Sequence, residues 1–112
     1  MRIAARPLLT VLLLAVASPA AFATKVVIDE IMYFPASGKL EESYVELYNA
    51  DTIAADLSGW TFAKGLQFSF PTNTHLAPGA YLVVAADASA FTAKYPGVTN
   101  FLAGWVARWA PI

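Results

Sequence analysis

The chain has no cysteine and a single histidine among its 112 residues. Without thiols there is no disulfide framework, thiolate zinc site, iron–sulfur cluster or cysteine nucleophile. Charge is also scarce, at 13% of residues with a formal net charge of −1. An electrostatically driven nucleic-acid binder needs a basic surface, and this composition does not supply one. The sequence holds no Gly-rich phosphate loop and no Gly-x-Ser-x-Gly elbow, and His75 has no second histidine to work with. Neither a nucleotide cradle nor a hydrolase triad can therefore be assembled, and an independent enzyme is not expected. No internal repeat or low-complexity linker appears, and 112 residues leave room for one small domain rather than two.

Apolar residues make up 58% of the chain, and they are unevenly spread. Arg2 and Arg6 precede an apolar run over residues 8–17, and Ala21-Phe22-Ala23 supplies the small-x-small pattern of a cleavage site. A spanning helix needs about 20 apolar residues, and Pro19 interrupts this run well short of that. Residues 1–23 are expected to be a signal peptide of bacterial style, cut after Ala23. The product is expected to be secreted, periplasmic or at the cell surface, with no transmembrane anchor left after cleavage. Residues 24–112 keep five basic and eight acidic side chains, a net charge of −3. At 89 residues this piece lies near the lower size at which a cysteine-free core suffices.

The remainder reads as strands. Residues 25–34 form a β-branched and aromatic run closed by Pro35-Ala-Ser-Gly38. Residues 43–49 alternate, with Val45 and Leu47 on one face and Tyr44, Glu46 and Tyr48 on the other. Further strands are predicted over 57–62, 66–70 and 80–85, the last apolar throughout and so central. Leu76-Ala-Pro-Gly79 has the Pro-Gly order of a type II turn. One short helix is predicted near 88–95, capped by Asp87 and ended by Pro96-Gly97. Short strands at intervals of about ten residues indicate a β-sandwich or small barrel.

Taken together, Val26-Val-Ile-Asp-Glu-Ile-Met-Tyr33, Tyr44-Val-Glu-Leu-Tyr-Asn49, Asp56-Leu-Ser-Gly-Trp60, Phe68-Ser-Phe-Pro71 and Leu76-Ala-Pro-Gly-Ala-Tyr-Leu-Val-Val84 resemble the lamin tail domain. The resemblance implies an all-β, immunoglobulin-like sandwich over residues 24–105. It departs from the family at Asp29, where asparagine is usual, and after Gly104-Trp105, where residues 106–112 do not match. That tail implies a C-terminally truncated or frame-shifted sandwich lacking its last strand or strands. The neighbouring strand would then keep unpaired backbone groups, and self-association through that edge would follow. The resemblance further implies a non-catalytic interaction or attachment module of an exported bacterial protein, with a protein or cell-envelope component as partner. Two alternatives stay open: an N-terminal fragment of a larger secreted enzyme, such as a spore-coat-type kinase protein or a nuclease, or a calcium- or carbohydrate-binding sandwich. Nuclear lamin biology does not carry over, because the chain has no coiled-coil rod and no nuclear-localisation cluster.

Few side chains are candidates for chemistry. Asp29 and Glu30, adjacent on a strand, are expected to point to opposite faces. Glu30 and Glu46 can share a face across neighbouring strands, as a calcium site, an acid/base pair or, the favoured reading, a polar strand face. Tyr44 and Tyr48, opposite the apolar face, are candidate contact residues. Asp51 and Asp56 are expected to cap turn amides. Glu41, Glu42 and His75 are expected in solvated loops. Trp60, Phe62, Phe68, Phe70 and Tyr81 are expected in the core, where each buried ring contributes roughly 2–3 kcal/mol. Trp105 and Trp109 are expected as exposed apolar surface. No cofactor and no metal are expected.

Overall fold

The computed structural model describes residues 25–107. The predicted leader over 1–23 and the tail residue Trp109 lie outside the described residues.

Four strands make the main sheet: β1 (Val26–Met32), β2 (Tyr44–Asn49), β6 (Tyr81–Ala85) and β7 (Phe101–Ala103), in the order β1-β2-β6-β7. β2 runs antiparallel to both β1 and β6, whereas β7 runs parallel to β6. Parallel neighbours need a crossover, and helix α1 (Ala88–Lys94) supplies it. The predicted cap is present: the Asp87 carboxylate accepts from the Ala90 amide at 2.8 Å. Opposite the sheet, β3 (Ala55–Asp56) pairs with β5 (His75–Leu76), and β4 (Leu66–Gln67) pairs with β8 (Val106–Ala107).

The inward faces of the two layers hold the core. Val45 and Leu47 of β2 stand beside Val84 and Leu82 of β6 in direct cross-strand register. They pack on Ala55, Leu57, Leu66, Phe70, Leu76 and Trp105 from the opposing layer. A second, smaller cluster lies on the outer face of the sheet, where Phe91 of α1 covers Val83 and Ala85, with Tyr44, Tyr95 and Phe101 around it. The helix thus shields only part of that face. The part over Glu46, Tyr48 and Tyr81 stays open.

Several expectations give way here. The predicted strands over 57–62 and 66–70 reduce to a single bridge between Thr61 and Ser69 and the two residues of β4. Gly59, at φ +74°, sits in a turn closed by the Trp60 amide on the Leu57 carbonyl at 2.9 Å. That positive φ breaks the extended run before a ladder can grow. Trp60 is 38% exposed and Tyr81 50%, so neither is core. The run over 80–85 is apolar on both faces, which hides its phase: Leu82 and Val84 point inward, and Tyr81 falls on the uncovered part of the other face. Phe62 and Phe68 are only partly buried, while Phe70 is fully inside.

Trp105 is not exposed surface but a core residue at 7% exposure, its indole Nε1 donating to the Val84 carbonyl at 3.0 Å. β8 carries strand pairing two residues past the expected boundary at 105, and a strand is present on either side of Gly104-Trp105. His75 lies on β5 rather than in a loop, although it is exposed. The turn before β6 is as expected, with Gly79 at φ +71° and the Ala80 amide on the Ala77 carbonyl at 3.1 Å.

Leu57 is completely buried between the layers. Leu57→Ala is expected to lower the unfolding free energy by about 2–5 kcal/mol in urea titration, with an unchanged slope.

Candidate functional site

The open part of the outer sheet face is built by three strands. Its centre is Glu46 on β2, directly paired with Glu30 on β1, with Val83 of β6 on the other side. The pairing of β1 with β2 slips between Ile28 and Glu30, where Asp29 is an extra residue. Such a bulge sets two residues against one on the partner strand and turns both toward the same place. The two adjacent acids therefore do not point to opposite faces: both Asp29 and Glu30 lie near enough to Glu46 to raise its proton affinity. Strand alternation predicts separation; the bulge brings three carboxyl groups together.

The electrostatics follow from that crowding. Partial burial, then the charges of Glu30 and Asp29, raise the proton affinity of Glu46 above that of an ordinary carboxylate. Tyr44 donates its hydroxyl to Glu30 Oε1 at 3.0 Å. Burial under α1, reinforced by that bond, pushes its phenol far above the usual range. Tyr44 is thus not the open contact residue the alternation implies, since its ring meets Phe91 and Tyr95 edge-on, each at 5.7 Å. Tyr48 lies against Tyr81, ring centroids 4.6 Å apart, and these two rings form the aromatic part of the open face. Desolvation and the nearby Asp29 raise the Tyr81 phenol as well.

Among the described residues no lysine or arginine pairs with Asp29, Glu30 or Glu46; the one ion pair there joins Lys94 to Glu42 at 3.7 Å. No group of three or more acidic or histidine side chains among the described residues has the arrangement to hold a metal ion.

The other acids are structural. Asp51 accepts from the Thr52 amide at 2.7 Å, and Asp56 from the Ser58 amide at 2.9 Å. Those bonds to Ser58 hold the Asp56 carboxyl below its usual value. Glu42 is tied to Ser37 and Lys94 rather than free in a loop.

One residue escapes sequence reasoning. Asn49 is wholly buried, its Nδ2 donating to the carbonyls of Ile53 and Leu76, both at 2.9 Å, while Oδ1 accepts from the Asp51 amide at 2.9 Å. It fastens the end of β2 to the 50–53 loop and to β5. The signal is a polar residue in the inward phase of Val45 and Leu47.

Two strand layers around one core, with part of the outer sheet face left open, make an immunoglobulin-like sandwich. Among known families, the Lamin Tail Domain matches residues 19–107. The chain belongs to the lamin tail domain family. Nothing among curated proteins or solved structures matches it significantly.

Two expectations are testable. Asn49→Ala removes the donor to the buried Leu76 carbonyl and the part-buried Ile53 carbonyl and is expected to cost about 1–3 kcal/mol in thermal or chemical unfolding. Glu46 binds its proton more tightly folded than unfolded, so its contribution is complete below the ordinary value of 4.5 and is lost as pH rises through the folded value. The part of the stability that depends on Glu46 is therefore expected to diminish as pH rises above about 4.5, and Glu46→Gln to remove that part, as read by melting temperatures of the two chains compared across the pH range.

Proposed function

We propose that the chain is a non-catalytic interaction and attachment module of an exported bacterial protein. Residues 1–23 act as a leader cut after Ala23, and the mature domain holds a protein or envelope component. One observation carries this reading: the Tyr48–Tyr81 pair and the carboxylates beside it lie on a shallow, open sheet face rather than in a closed cavity. Small-molecule sites are concave and enclosing, whereas open faces with aromatic anchors suit macromolecular contact. Membership of a non-enzymatic family points the same way.

The test expresses all 112 residues with a C-terminal tag in an exporting bacterial host. The product is expected outside the cytoplasm with Thr24 as its first residue, read by intact mass, and is expected to sediment with isolated cell envelopes. Tyr48→Ala with Tyr81→Ala is expected to reduce that retention about tenfold, as loss of paired aromatic anchors does. A cytoplasmic product that keeps Met1, or retention unaffected by the double substitution, overturns the reading.

A further inference from the structure

β1 ends the four-stranded sheet, and among the described residues no strand pairs with its outer side. A strand in that position presents a row of backbone donors and acceptors that another chain can use. At seven residues β1 is the longest strand described, and it stays exposed on both faces: Val27 is 46%, Ile28 50% and Ile31 53% accessible. We propose that the outer edge of β1 is a docking strand for an extended protein segment that alternates basic with apolar residues.

The proposal names the partner chemistry for the attachment role above and rests on that role. The alternation follows from the two faces. On the outer face, a strand laid beside β1 meets Asp29 and Glu30, with Glu46 behind them and no cation paired to any of the three among the described residues. Basic side chains complement that charge. On the inner face, the same strand meets Ile28 and Ile31 and borders a groove of about 190 Å³ lined by Val26, Ile28, Leu47, Trp60, Phe62 and Phe70. Apolar side chains fit there. A second copy of this chain fits poorly, because Asp29 is the middle residue of β1. Antiparallel self-pairing about it would set Asp29 directly against Asp29 of the second copy, with both Glu30 side chains one residue away, and like charges directly opposite are unfavourable. The bulge and its acids thus keep the edge from pairing with itself while leaving it open to a basic strand.

The experiment uses chain purified from a host expressing all 112 residues, with a fluorescent, end-blocked seven-residue peptide alternating lysine and valine, read by anisotropy. Saturable binding is expected, several-fold weaker at 0.3 M salt than at 0.02 M. Two controls are expected not to bind: the glutamate–valine peptide, and the lysine–valine peptide methylated at alternate backbone nitrogens. Glu30→Gln with Glu46→Gln removes two repelling charges without enlarging the side chains, and is expected to weaken binding about two- to tenfold while the chain still melts cooperatively. Binding unaffected by backbone methylation, or by the double substitution, overturns the proposal. So does absence of peptide binding, including the case in which sedimentation shows a concentration-dependent dimer and the edge is taken by a second copy. If the peptide does not bind but envelope retention still depends on Tyr48 and Tyr81, the docking strand fails and the attachment role stands.

Discussion

The period-two alternation of β2 is the constraint on which the rest of the structure depends. Its inward phase, Val45, Leu47 and Asn49, supplies two apolar side chains to the central core and one amide that ties the strand end to the opposing layer. Its outward phase, Tyr44, Glu46 and Tyr48, divides the other face between the helix-covered cluster and the open acidic surface. A slip of one residue would exchange the two sets and bury a carboxylate where Leu47 now lies. Because β6 pairs with β2 through Val45–Val84 and Leu47–Leu82, register and burial enforce each other.

A small cysteine-free domain has little core to spare, and the layer opposite the main sheet shows how this one manages. Its strands are two residues long, so ladder bonds alone cannot organise it. Side-chain-to-backbone bonds take over: Asp56 holds Ser58, Ser58 Oγ accepts from the Asn73 amide at 2.8 Å, and Thr74 Oγ1 donates to the Pro71 carbonyl at 2.7 Å. These fix the turns that deliver Leu57, Phe70 and Leu76 to the core. Trp105 closes the same core from the C-terminal side, anchored at both its ring and its indole nitrogen.

The acidic face illustrates a different trade. The raised proton affinity of Glu46 makes its charged form unfavourable to folding at neutral pH, yet Glu46 and its two acidic neighbours lie where β1 is the sheet's outermost strand. Like charge at an edge restrains indiscriminate strand pairing, a gain in specificity set against a loss in stability.

Much of the architecture was legible in the residues. The strand over 26–32, the alternation of 44–49, the Asp87-capped helix and the Pro78-Gly79 turn each rest on local chemistry that needs no distant partner. The family resemblance rested on the first two strands and the Pro78-Gly79 turn, together with Asp56-Leu-Ser-Gly-Trp60 and Phe68-Ser-Phe-Pro71. Three things depended on the tertiary structure alone. The bulge at Asp29 gathers acids that simple alternation would separate, because a bulge is defined by the partner strand. The inward turn of Trp105 depends on a cavity built by β2, β6 and the opposing layer. The exposure of Tyr81 depends on where α1 stops covering the sheet, since an apolar run carries no phase of its own.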